Sequence, residues 1–160
     1  MPEGLRAFVV SPHGGRAIRG PVGGEARIRA RTEDTGGAFA LIENVIPPKA
    51  GPPLHLHLRE DEMWIISEGN FRFKAGDQIL NAPTGSFVFV PRGTPHCFQN
   101  IGDEPAKILV MFAPSGMERF FEQLAELPPG PVDPATYESL AFGSWMKVVG
   151  KSLADSDPLI

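Results

Sequence analysis

The chain has 160 residues, 42% of them apolar and 21% charged, with 15 Lys+Arg against 19 Asp+Glu for a net charge of −4. That length suits one domain, and that composition excludes a disordered acidic chain and a membrane-embedded one. Without a block of five or six like charges or an apolar run near 18 residues, neither nucleic acid nor a membrane is expected as a partner.

The opening MPEGLRAFVVSPHGG lacks the basic head, long apolar run and cleavage site of a signal peptide, so a cytoplasmic protein is expected. The single cysteine, Cys97, excludes an internal disulfide and agrees with a reducing compartment.

Gly 18 and Pro 17 are scattered between short apolar runs, a turn-rich β signature. In chain order, strands are predicted over 26–31, 38–46, 54–58, 62–67, 71–74, 78–80, 86–90, 96–100 and 106–113. The linkers between them carry PPKAGPP, EGN, KAGD, NAPTG, PRGTP and IGDEP. Regular turns with no helix between strands predict an all-β antiparallel sandwich or barrel.

The pattern changes at Pro114. Ser115 to Glu118 reads as a capping box, and Met117, Phe120, Phe121 and Leu124 then fall at helical spacing to about Leu127. Asp133 before Pro134 predicts the N-cap and first turn of a second short helix, to about Phe142. The expected organisation is a β-barrel with N-terminal strands over 1–113, a helical extension over 114–150 and a disordered tail over 151–160.

Three of the four histidines stand where strand geometry can use them; His13 sits in a Gly-rich loop. Side chains at i and i+2 of a strand share a face about 6.6 to 6.8 Å apart, so His55 and His57 in LHLHL present two imidazoles side by side. Glu62 lies at an odd offset and joins that face only if Arg59, Glu60 and Asp61 form a turn that resets the parity. His96 follows a PRGTP turn that can aim it at the pair from across a barrel. Three imidazoles and one carboxylate suit one divalent transition metal (Fe, Mn, Ni, Co, Cu or Zn), whereas Ca²⁺ or Mg²⁺ would call for oxygens. Glu60 and Asp61 read as a solvated charged turn, and Cys97 alternates away from His96 and out of the cavity.

The segments GPPLHLHLREDEMWIISEG (51–69) and GSFVFVPRGTPHCFQN (85–100) resemble the two motifs of the cupin superfamily. The second fits throughout. In the first, the HxH, the four-residue gap to Glu62 and the six-residue gap to Gly69 match, but three residues separate Gly51 from His55 where the family has five. The resemblance covers about residues 38–113 and implies a double-stranded β-helix, a jelly-roll-like barrel. It implies His55, His57, Glu62 and His96 as metal ligands, Gly69, Gly85, Pro91 and Gly93 as turn residues, and a homodimer in which strands near 26–31 or 38–46 join the partner's sheet. The helical tail beginning PSGMERFFEQL is similar to that of the quercetin 2,3-dioxygenase-like branch.

Alternation puts Trp64 and Ile66 in line with Glu62, and Phe98 in line with His96, as walls of a substrate pocket. Phe71, Phe73, Phe87 and Phe89 are further barrel-facing candidates. The polar candidates are Arg72, Lys74, Gln78 and Gln99, with Arg72 and Lys74 opposite Phe71 and Phe73. So few basic groups disfavour sugar phosphates. The expected function is a metal-dependent oxygenase, dioxygenase-like, on a small apolar, aromatic or enolic organic substrate, and the resemblance to the quercetin 2,3-dioxygenase-like branch implies Glu62 as catalytic base. The alternatives are a non-redox metal-dependent isomerase, cyclase or lyase, and a non-catalytic small-molecule-binding cupin.

Overall fold

The computed structural model describes residues 4–160; of the predicted 1–113 unit and the N-terminal stretch weighed as a leader, residues 1–3 lie outside it. Two antiparallel sheets face each other. The six-stranded sheet runs in the order β1 (Arg16–Arg19), β2 (Glu25–Ala30), β3 (Ala40–Ile46), β10 (Ala106–Ala113), β5 (Asp61–Glu68), β8 (Phe87–Val90). The five-stranded sheet runs β11 (Met146–Ser152), β4 (Pro53–His57), β9 (His96–Asn100), β6 (Asn70–Ala75), β7 (Gln78–Pro83). Among the described residues there are also four short helices: α1 (Thr32–Thr35), α2 (Glu118–Ala125), α3 (Pro134–Gly143) and α4 (Leu153–Ser156).

The strands earn their inner faces by alternation. Burial in β3 and β10 switches at every residue, with Ala40, Ile42, Asn44 and Ile46 inside on one and Ala106, Ile108, Val110 and Phe112 inside on the other. Trp64, Phe71, Phe73 and Phe98 meet between the sheets with centroid separations of 5.0 to 6.4 Å in tilted or edge-on contacts. Phe87 and Phe89 do not join them. Val88 and Val90 take the inward positions of β8, and the two phenylalanines stand 64% and 52% exposed beside Ile65 of β5.

Behind Pro114 the capping box predicted over Ser115–Glu118 does not form. The helix starts at Glu118 with Met117 as its N-cap, and the Glu118 carboxylate accepts from the Gly116 amide and from the amide and hydroxyl of Thr32 in α1. A second set of orphan donors, at the start of α1, competes successfully for that carboxylate. Met117, Phe120, Phe121 and Leu124 are buried as the helical spacing predicts, closing one end of the sandwich. Asp133 caps α3 through the Thr136 amide at 3.2 Å.

The chain after Gly150, expected to be frayed, is ordered. β11 supplies an outer partner for β4, with Met146 opposite His57 and Val148 opposite His55, while β4 meets β9 at one register position, His55 opposite His96. α4 then lies on the outer face of the five-stranded sheet. Leu153 is fully buried there, and Arg72 bonds Gln99 at 2.8 Å and the carbonyls of Leu153 and Asp157. Arg72 and Gln99 therefore hold the tail, not the cavity. Cys97 is buried beneath the same helix, on the face opposite His96, and burial pushes its thiol up to about 11.

Candidate metal centre

The HxH strand begins with a close approach. A Cβ at Gly51 would stand 1.8 Å from the carbonyl oxygen of Phe98, so the absence of a side chain lets this loop lie against β9 just before β4 starts. His55 and His57 then point inward together, both buried. Leu58 and Arg59 form a bend that resets the alternation, after which Glu60, Glu62, Trp64 and Ile66 all face inward along β5.

Two contacts latch this bend to the turn that delivers His96. The amide and guanidinium of Arg92 donate to Asp61 at 2.9 to 3.3 Å, and the amide of Gly93, at φ 81°, donates to the His57 carbonyl at 2.7 Å. Asp61 is thus a structural ion-pair partner.

The four predicted ligands come together: one donor atom from each of His55, His57, Glu62 and His96 lies within 4.8 Å of every other. Glu62 Oε2 is 2.8 Å from His57 Nε2 and 2.7 Å from His96 Nε2. The outer nitrogens fix the rings. His55 Nδ1 faces the Pro53 carbonyl at 2.7 Å and His96 Nδ1 faces the Thr94 carbonyl at 2.9 Å. A carbonyl only accepts, so each Nδ1 carries a hydrogen and each Nε2 is the atom turned to the cluster. His13 is exposed in its turn, away from this group.

Burial, with the nearby His96 and His57, drives the His55 pKa down to about 3, so this imidazole is neutral at ordinary pH. Burial would raise Glu62, but His57 and His96 outweigh it and hold the carboxyl below the usual range. Burial would likewise lower His96, yet the Glu62 charge and hydrogen bond raise it. A neutral imidazole and an ionised carboxylate are what a metal needs as donors, and both nitrogens of His57 are buried without a well-aligned hydrogen bond. The residues fit a borderline divalent cation.

Glu60, read from sequence as a solvated turn residue, is 2% exposed. Its Oε2 has no hydrogen-bond partner and lies 3.9 Å from His57 Nδ1, the one outer nitrogen not facing a carbonyl. The signal was parity: Glu60 is two residues before Glu62, so a strand face that includes one includes the other.

A small chamber of about 50 Å³ opens on His55, His57 and Glu62. Of the predicted walls, Trp64 and Phe98 line it, whereas Ile66 is packed in the core beyond. The remaining wall comes from segments the sequence did not link to the site: Asn44 of β3, Val110 and Phe112 of β10, Phe121 of α2 and Tyr137 of α3. Among the described residues no Lys or Arg lines it, and its polar groups beyond the donors are Asn44, Tyr137 and the Trp64 indole N–H, which has no partner there.

Comparison with known proteins agrees with this architecture. The cupin domain family matches residues 43–112. An uncharacterized protein of Methanocaldococcus jannaschii is 31% identical over 70 residues, 44% of this chain and 56% of that protein. An oxidoreductase of Pestalotiopsis fici is 36% identical over 61 residues, 38% of this chain and 30% of that protein. The chain thus spans about half or less of these two relatives' lengths. Among solved structures, the polyketide cyclase RemF of Streptomyces resistomycificus superposes with a TM-score of 0.59 at 22% identity, over 83% of this chain and 92% of that one, a likeness of fold.

Proposed function

We propose that this chain, whose residues 43–112 match the cupin domain family, is a metal-dependent oxygenase acting on a small, largely apolar organic substrate with one ionisable oxygen. The observation that carries this reading is an apolar, cation-free chamber opening directly onto a complete His₃Glu donor set. The similarity to the P. fici oxidoreductase supports redox chemistry over Lewis-acid chemistry alone.

His55, His57, Glu62 and His96 would hold the ion, which when bound would supply stabilisation of a substrate oxyanion and, if redox-active, electron transfer toward O₂. The chain's own contribution is threefold. The carbonyls of Pro53 and Thr94 keep the Nε2 atoms of His55 and His96 aimed inward. Phe98, Val110, Phe112 and Phe121 exclude water, which strengthens every charge interaction inside. Glu62 is ionised and is the group able to accept a substrate proton, once its contact with His57 and its hydrogen bond with His96 are released.

The test is oxygen uptake by protein loaded separately with Fe, Mn, Ni, Co, Cu or Zn and offered flavonols, catechols and 1,3-diketones. Uptake by a redox-active form and none by the zinc form supports the oxygenase. Conversion of a substrate without oxygen would replace it with the isomerase, cyclase or lyase reading.

A further inference from the structure

Two cavities meet at Tyr137. The inner chamber, at about 50 Å³, has room for only a few non-hydrogen atoms. Outside it lies a second cavity of about 740 Å³, bounded by Arg19–Gly23, the loop Gly130–Val132, α3 and β11. Pro21, Val22, Pro52 and Tyr137 belong to both walls, so the chambers adjoin at a ring of four shared residues. Small-molecule sites typically span about 300 to 1,000 Å³, which the outer chamber meets and the inner one does not.

The linings differ in character. Leu124, Pro131, Val132 and Val148 give the outer chamber apolar walls. Its charged residues come in both signs, Arg19 and Lys151 against Glu138 and Asp155, so no net field selects an anion there. Arg19 is also engaged, donating to the carbonyls of Leu127 and Pro128 at 3.3 and 3.4 Å. The ring of Tyr137 is fixed edge-on against Phe120, centroids 5.4 Å apart and planes at 88°.

We infer that the two chambers are one binding site for an elongated, largely neutral organic molecule. Its small oxygen-bearing head occupies the inner chamber and its apolar body the outer one, with Tyr137 as the specificity-determining residue at the joint. The inference rests on the functional reading above and adds the shape of the substrate. A rigid fused-ring compound cannot enter the inner chamber whole; a slender head on a flexible body passes the ring.

The test compares two 1,3-diketones that share a head, 2,4-pentanedione and 2,4-nonanedione, by calorimetric titration of the Co²⁺-loaded protein. Four added methylenes, each worth about fourfold when fully buried, should make the longer compound bind at least about tenfold more tightly. In Tyr137→Trp, which narrows the joint, and in Val132→Asp, which places a charge in the outer chamber alone, the ratio should fall to about one, with the thermal melt checking that each variant folds. Val132 is on a loop, so its variant carries the test if Tyr137→Trp does not fold. A wild-type ratio near one, or a ratio unchanged in a folded variant, overturns the two-chamber inference and leaves the oxygen-headed reading standing. Failure of both diketones to bind overturns both.

Discussion

Loading the site with a divalent ion should release at least one proton, and the proton can be identified. His96 Nδ1 donates to the Thr94 carbonyl at 2.9 Å, and His96 Nε2 lies 2.7 Å from the Glu62 carboxylate. A carbonyl and an ionised carboxylate both only accept, so the metal-free ring carries two hydrogens and is an imidazolium. Burial opposes that charge, but Glu62 outweighs it, and the pKa is raised above the ordinary histidine value of about 6.5. Below the raised pKa an ion taking Nε2 displaces one proton, so affinity climbs about tenfold per pH unit as pH rises, flattening once pH passes that value. His55 adds nothing to the slope, being neutral down to about 3. Titration with Zn²⁺ between about pH 5.5 and 6.5, in two buffers of different ionisation enthalpy, reads both slope and released protons. A slope below about half a log unit per pH unit, with equal heats in the two buffers, would refute the assignment.

Four further outcomes are expected. His57→Ala should lose most bound metal by elemental analysis while its β-sheet circular dichroism persists, since the core between the sheets does not depend on that imidazole. Glu60→Gln should weaken metal binding by about 10- to 100-fold in a chelator competition without lowering the melting temperature, because it alters the carboxylate facing His57 Nδ1. Glu118→Ala should cost about 2 to 4 kcal/mol in urea unfolding, as the donors of Thr32 and Gly116 lose their acceptor. By light scattering the protein should be a homodimer of the 17.3 kDa chain; β2 and β3, expected to join a partner's sheet, are paired on both sides and have no free edge, so the double change Phe87→Glu and Phe89→Glu, on the exposed apolar face of β8, should yield monomer.

The clustering of His55, His57, Glu62 and His96 was legible because their spacing is a local property: two imidazoles at i and i+2, a carboxylate after a charged bend, a third imidazole after a Pro-Gly turn. The interior strands were legible for the same reason. FVFV, over 87–90, was legible as a strand but its inward face was not, because both faces are apolar and alternation cannot say which is inside. Glu60 was misjudged by treating a charged run as solvent-facing, although parity with Glu62 pointed inward. Tyr137, Asn44 and Phe121 reach the chamber from segments whose meeting depends on tertiary packing, which no local pattern records. β1 and β11 were missed because RAIR and MKVVGKS are short or interrupted by Gly150, and the pairing partner of β11 lies far upstream.

The same distant pairing sets a clock. β4 touches β9 at a single register position and depends on β11 for its other edge. While the chain is being synthesised, the strand bearing His55 and His57 waits with that edge bare through the making of β5 to β10 and of α2 and α3. Closing so long a loop comes late in folding. The strand carrying His55 and His57 therefore gains its second neighbour only once residue 152 has left the ribosome, so the last edge of the donor-bearing sheet is laid down after all four donors have been made.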